Sequence, residues 1–169
     1  MNIPLTPVRF LRYAEQQFPS KTAVVCQDLR FTYAEFGDRV GRLAGALRSL
    51  GVKAGDRVAF LSLNCHRLLE AYFGVLEAGC ILLPLNTRLA APELAYILNH
   101  SGATVLFLEQ EFAGLVDSFR RDLTTVQSFH QLGFHQIDET PQAEWLSDQT
   151  YEQMLASAAP YHGDLMEFD

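Results

Sequence analysis

Cysteine is scarce in this 169-residue sequence: there are three, Cys26, Cys65 and Cys80, and no C-x-x-C pair. An odd count without paired spacing excludes a disulfide framework and a zinc ribbon, and it fits a reducing compartment. Positive charge is scarce too, with 13 Lys and Arg against 20 Asp and Glu, a net charge of −7. A chain with no basic run lacks the phosphate-neutralising surface that nucleic acid needs, and it suits an anionic membrane no better. No apolar stretch approaches the roughly 18 residues of a membrane span, and the N-terminus has no unbroken apolar h-region. These absences predict a cytoplasmic protein with no transmembrane segment and no nucleic-acid partner. What is present is a globular composition, 49% hydrophobic and 20% charged. A chain of this size buries roughly 70% of its unfolded surface, so its core needs neither disulfide nor metal.

Periodicity orders the chain. Val8, Leu11 and Ala14 predict a helix over Pro7–Gln17, stopped by Phe18-Pro19-Ser20. The β-branched run Thr22–Cys26, a turn at Gln27-Asp28-Leu29 and the return Arg30-Phe31-Thr32 predict a hairpin. Thr32-Tyr33-Ala34-Glu35 fits a capping box, with Phe31 and Phe36 at the staple positions. The helix that follows runs along an apolar face to a left-handed glycine cap at Gly51. Strands are predicted over 57–63, 80–83, 104–108 and 125–129. Between them lie helices capped by Asn64 and ended by Gly79, opened by Pro92 and closed near Gly102, and spanning 111–121. Apolar strands alternating with helices predict an α/β fold with a mostly parallel sheet flanked by helices. The pattern fades into polar loop over 133–150, returns as a helix over 151–158, and ends at 164–169 in what reads as a lead-in to further structure.

Residue chemistry alone displays no active site. There is no G-x-x-x-x-G-K-[ST], no G-x-G-x-x-G after a strand and no G-x-S-x-G. Gly37, Gly41 and Gly45 recur every fourth residue inside one helix, where they serve close helix–sheet packing rather than a phosphate. Cys65 stands at a predicted helix N-terminus, but the neighbouring His66 is expected on another helix face, which leaves an inert thiol. His130 and His135, near Asp138 and Glu139, have no helical metal spacing and read as solvated loop. His100 follows Asn99 near a helix end, where the dipole favours a cation, and His162 carries no signal.

Three stretches taken together carry more. They are Phe31-Thr32-Tyr33-Ala34-Glu35-Phe36; Gly55-Asp56-Arg57-Val58-Ala59 followed by Asn64; and Leu76-Glu77-Ala78-Gly79-Cys80-Ile81-Leu82-Leu83-Pro84-Leu85-Asn86-Thr87-Arg88-Leu89 with Glu93-Leu94 beyond. Their order and spacing resemble the N-terminal part of the adenylate-forming, AMP-binding superfamily: acyl-CoA synthetases, luciferase and peptide-synthetase adenylation domains. Asn86 resembles the acyl-CoA synthetase branch. The resemblance implies a parent enzyme that uses ATP and magnesium to form an acyl-adenylate and pyrophosphate, then moves the acyl group to coenzyme A. It implies an N-terminal α/β subdomain over 1–130 and a loop-rich segment over 131–169 leading toward the family's phosphate loop. That loop, the adenine- and ribose-binding motifs and the catalytic lysine have no match here, so no catalytic, cofactor-binding or metal residue is assigned. The matched residues Thr32, Tyr33, Glu35, Gly79, Pro84, Asn86 and Arg88 are architectural. The fragment alone is expected to be inactive and to self-associate, with the remainder of the parent synthetase as its partner. The alternative is a free-standing, non-catalytic interaction module.

Overall fold

The computed structural model describes residues 6–133, 143–147 and 149–163. Helix α1 (Pro7–Gln17) leads into the antiparallel hairpin β1 (Thr22–Cys26) and β2 (Leu29–Thr32). Then follow α2 (Tyr33–Ser49), β3 (Arg57–Leu61), α3 (His66–Glu77), β4 (Ile81–Pro84), α4 (Ala91–Ser101) and β5 (Ala103–Leu108). Short helix α5 (Ala113–Asp117), strand β6 (Ser128–Gln131) and helix α6 (Tyr151–Ser157) come last among the described residues. Strands β4-β3-β5-β6 form one sheet, in that order, and every pairing in it is parallel. The α/β reading with a parallel sheet flanked by helices holds.

Alternation along the strands divides the core. Val58 and Phe60 of β3 and Val105 and Phe107 of β5 face α2, α3 and α6. Ala59, Leu61, Leu106 and Leu108 face α4 and α5. Both faces are buried, so β3 and β5 read as unbroken apolar runs. A third, smaller cluster of Leu11, Val24, Phe36 and Val40 seats α1 and the hairpin on α2.

Local signals set the helix ends. Thr32 Oγ1 accepts from the Glu35 N–H at 3.3 Å, and the Thr32 N–H donates to Glu35 Oε2 at 2.8 Å. The bond from the Thr32 N–H, and after it the Thr32 hydroxyl, draw the Glu35 carboxyl below its ordinary range. Tyr33 opens α2, and its N–H donates to the Lys21 carbonyl at 3.0 Å. At the end of α3, Gly79 has φ +79°. Its N–H donates to Leu76 O at 2.9 Å and the Cys80 N–H donates to Val75 O at 3.0 Å, the paired bonds of a Schellman cap.

Several boundaries differ from the sequence reading. Strand β3 stops at Leu61, two residues early, and α3 is capped at Cys65 rather than Asn64. The strand predicted over 80–83 is Ile81–Pro84 and lies at the sheet edge, with Ile81 and Pro84 exposed. A proline is tolerated at an edge because no further strand there needs the N–H that proline lacks. The helix predicted over 111–121 is broken into α5 between 3₁₀ turns at Gln110–Phe112 and Arg120–Asp122. Gly114 lowers its propensity, and the Ser118 hydroxyl donates to Leu115 O at 2.6 Å, offering the backbone a turn instead. The last strand starts at Ser128, not 125, because the Thr124 N–H is held by Asn99 Oδ1 at 2.8 Å and the chain joins β5 only beyond it. The polar stretch 133–150 conceals apolar cover: Leu146 is buried and Trp145 packs edge-on against Phe129.

The three glycines of α2 do pack closely, but not on the sheet. A methyl group at Gly37 would overlap the Glu15 carboxylate of α1, and one at Gly45 would overlap the Ala159 carbonyl oxygen. Gly41 lies under His162 and Pro160, and its carbonyl accepts from the Tyr161 N–H at 2.9 Å. The groove carries the C-terminal strap, residues 158–163.

Candidate functional site

Strand order places a crevice. From β3 the chain crosses by α3 to β4 on one side, then returns by α4 to β5 on the other side of β3. Helices α3 and α4 lie on opposite faces, so the carboxyl ends of β3 and β5 form a topological switch point, where open α/β sheets bind ligands. Glu109, immediately after β5, is buried there. Its Oε1 accepts from the Ser62 hydroxyl at 2.5 Å and from the Leu63 N–H at 2.9 Å. The carboxylate thereby fixes the path of the chain leaving β3.

That path walls a concavity of about 490 Å³ that reaches to the end of β4. Leu68, Tyr72 and Leu85 give it an apolar side, while Ser62, Asn86 and Arg88 give it a polar one. Asn86 Oδ1 accepts from the Arg88 N–H at 3.0 Å, a local turn that sets the loop after β4. Arg88 is the one charged side chain on this wall, and it is exposed. The family-like residues Pro84, Asn86 and Arg88 thus meet Ser62 and Asn64 of the preceding stretch. Thr32, Tyr33 and Glu35 lie apart, at the start of α2, and Gly79 lies at the opposite, amino ends of the strands. Glu109 and Ser62 had gone unnoticed in the sequence. Their signal is a polar residue directly after an apolar, fully buried strand.

Two charged constellations sit elsewhere and hold helices together. Glu70, fully buried on α3, accepts from Arg39 Nε at 2.6 Å and from the Tyr151 hydroxyl at 2.7 Å. Arg39 also grips Glu152 at 2.9 and 3.0 Å, so α2, α3 and α6 share one network. Burial alone would raise the Glu152 carboxyl, but His66, Arg39 and Arg67 around it hold it well below the usual carboxylate range. Burial, and then the Glu70 charge, push the Tyr151 phenol upward. In the second constellation Glu77 pairs with Arg12, accepts from the Gly163 N–H at 2.9 Å and faces His162 Nδ1 at 3.7 Å. A concavity of similar volume beside it, lined by Arg12, Glu15, Asp38 and His162, lies away from the strand ends.

The histidines separate. His130, expected in solvated loop, is on β6, buried, and stacked on Phe107 at 5.1 Å. His100 is exposed and stacks on Tyr96 at 5.4 Å. His135, Asp138, Glu139 and the lead-in at 164–169 lie outside the described residues. Among the described residues no three His, Cys, Asp or Glu side chains come together to hold a metal ion, and no helix is long and apolar enough to cross a membrane.

A family model described as "AMP-binding enzyme" matches residues 11–164. The chain belongs to the AMP-binding enzyme family. It is 39% identical over 127 residues to a peroxisomal butyrate–CoA ligase of Arabidopsis thaliana, covering 75% of this chain and 22% of that protein. It is 50% identical over 100 residues to a long-chain-fatty-acid–CoA ligase of Thermus thermophilus, covering 59% of this chain and 18% of that one. A solved anthranilate CoA ligase in complex with anthranoyl-AMP superimposes with a TM-score of 0.80 at 28% identity, over 96% of this chain and 31% of that chain. The chain thus spans between about a fifth and a third of the length of these relatives.

Proposed function

We propose that the chain forms the N-terminal part of an ATP-dependent acyl-CoA ligase. Such an enzyme joins a carboxylate to ATP, giving an acyl-adenylate and pyrophosphate, and the thiol of coenzyme A then displaces AMP. The chemistry is leaving-group activation, and its catalysis lies in stabilising charge around the phosphates. The observation that carries the reading is the family match across nearly the whole chain, together with relatives named as CoA ligases. ATP, magnesium and coenzyme A are on this reading the cofactors of the whole protein, and the remainder of the synthetase is the first partner.

On this reading the remainder of the synthetase, rather than this chain, holds the nucleotide. Three of the glycines lie inside α2 and one inside α3, and no glycine-rich loop opens at a strand end among the described residues. No ATP-dependent step is therefore assigned to this chain. Its contribution is the wall at the ends of β3 and β4, where an apolar side and the exposed Arg88 suit a ligand with an apolar body and an anionic end. The scarcity of cysteine pairs supports a reducing compartment, the cytoplasm on this reading; the Arabidopsis relative is named as peroxisomal.

The test is acid-dependent ATP–pyrophosphate exchange, run on the 169-residue chain and on the product of the intact gene with fatty, aromatic and short acids. No exchange is expected from the chain, and exchange followed by thioester formation from the gene product. Exchange by the chain alone overturns its inactivity. Failure of the gene product with every acid class overturns the ligase reading.

A further inference from the structure

Helix α3 carries its charges on the inside. Glu70 is paired with Arg39 of α2, Glu77 with Arg12 of α1, and Arg67 with Glu152 of α6. Glu70 and Glu77 are buried. The outward side carries Leu69, Tyr72 and Leu76, spaced three and four residues apart so that they form one stripe, with Phe73 beside them. Leu69 and Tyr72 are exposed, Tyr72 by 45%, and Phe73 and Leu76 are half-buried. A surface helix ordinarily has the reverse arrangement. Helix α4, on the other face of the sheet, keeps it: Leu94 and Leu98 are buried, while Glu93 and His100 are exposed.

The stripe is a ridge between two hollows. On one side Leu69 shares a concavity of about 400 Å³ with Val24 and Val25 of the hairpin, and Val25 is exposed. On the other side Leu68 and Tyr72 border the switch-point concavity, together with the exposed Leu63 and Pro84. A helix that is apolar on its outer side as well as its inner one belongs in the interior of a larger body, and a ridge between hollows is the relief that packed helices present to one another. The strap brings the chain to this same helix. The Gly163 N–H donates to Glu77 Oε1 at 2.9 Å, in the last turn of α3, and the Gly163 carbonyl accepts from Arg12 Nη2 at 2.9 Å. Whatever follows Gly163 therefore starts beside α3. On the ligase reading most of the enzyme lies outside these residues, because the relatives are several times as long.

We propose that the outer stripe of α3 is the seat of the remainder of the synthetase, which lays an uncharged, apolar face over Leu69, Tyr72 and Leu76. The inference rests on the ligase reading. Covering the stripe takes apolar side chains out of water, the main favourable term in such packing. The inward charges lose nothing by it, since their partners are already in place. A charged partner would be desolvated against Leu69 and Tyr72 without compensation, so an acidic or nucleic-acid surface does not suit this face. The covering face also walls the switch-point concavity from the side of Tyr72, which belongs to both. A second copy of the chain finds the stripe open only while the remainder is missing, so self-association belongs to the isolated chain.

The experiment is hydroxyl-radical labelling of side chains, read by peptide mass mapping, on the 169-residue chain and on the product of the intact gene, both without ATP or acid. The chain is diluted until it sediments as a monomer. Leu69 and Tyr72 are expected to label in the chain and to lose that labelling in the intact product, while Tyr96 on α4, 66% exposed, labels equally in both. Leu69→Asp is expected to leave the urea midpoint of the chain unchanged and to lower that of the intact product. Equal labelling of Tyr72 in the two proteins would overturn the proposal, as would loss at Tyr72 and Tyr96 alike, an unchanged midpoint in the intact variant, or a gene product no longer than this chain. Protection of Tyr72 that appears only as the intact product is concentrated assigns the face to a second copy and overturns it too. Labelling and ATP–pyrophosphate exchange fail separately. Exchange by a product whose Tyr72 is open overturns this inference and leaves the ligase reading, and a covered Tyr72 without exchange does the reverse.

Discussion

At the scale of single residues, Glu70 is the most exacting position. A carboxylate with no solvent access is tolerated because Arg39 and Tyr151 satisfy it from two other helices. Replacing Glu70 with Ala leaves the buried phenol unpaired and the guanidinium with Glu152 alone, so stability should fall by about 3 kcal/mol, read from the urea midpoint. Tyr151→Phe removes only the donated hydroxyl and should cost about 1–2 kcal/mol. Equal costs for the two variants would show that the helix contact, not the charge, is what Glu70 supplies. None of this network is legible in sequence, since its members are 31 and 81 residues apart. A glutamate on a helix reads as solvated face until the fold packs another helix over it.

At the scale of elements, the glycine row of α2 and the strap across it are the feature most open to test. Gly→Ala inside a helix gains roughly 1 kcal/mol of propensity. At Gly41 the new methyl would press mainly on the His162 ring, which can turn aside, so Gly41→Ala should leave stability nearly unchanged. At Gly45 it would meet the backbone of Ala159, which cannot. Gly45→Ala should release the strap, seen as faster proteolysis after Ala158 and faster hydrogen exchange at the Tyr161 amide. The glycine spacing announced a close approach. The partner was not announced, because the strap has no periodicity of its own. Capping chemistry was the more readable part: Thr32, Glu35, Gly51, Gly79 and Gly102 lie where backbone donors or a positive φ require them. Thr32→Ala should cost about 1 kcal/mol, measured by the same unfolding midpoint.

At the scale of the whole molecule, stability should depend on pH in two windows. Burial lowers the pKa of His130, so below about 6.5 the unfolded chain takes a proton that the folded chain resists. Stability present above that value is lost as pH falls. Glu152 is depressed as well, so its contribution is present above the ordinary carboxylate range and disappears in stronger acid. Glu15 has the opposite sign: burial first, and the Glu77 and Asp38 charges after it, raise the group against His162 and Arg12, so it favours the fold at low pH. Urea titrations should show a decline between pH 7 and 5 that His130→Phe removes, leaving the acid-side loss below about 4.5 intact. A decline unchanged in that variant would assign it to another group. Phe10 and Tyr13 on α1 are 63% and 61% exposed, and Leu69 and Tyr72 on α3 are exposed too. Apolar surface of this extent favours association. Sedimentation velocity should show species larger than a monomer as concentration rises, and a monomer throughout would count against it.

The sequence by itself determined the order of helices and strands, the parallel α/β class and the family, because these rest on local periodicity, caps and contiguous motifs. It also indicated which residues after β4 shape the loop. Tertiary structure alone decided what those residues face. The crevice at Ser62 and Glu109 exists because two strands far apart in sequence are neighbours, Arg57 with Ala103 at their first step and Leu61 with Leu108 at their last. The burial of His130 and the cover supplied by Leu146 depend likewise on distant segments meeting. Local propensity carries no record of such meetings, because their energy is long-range packing and desolvation rather than the conformation of any one stretch.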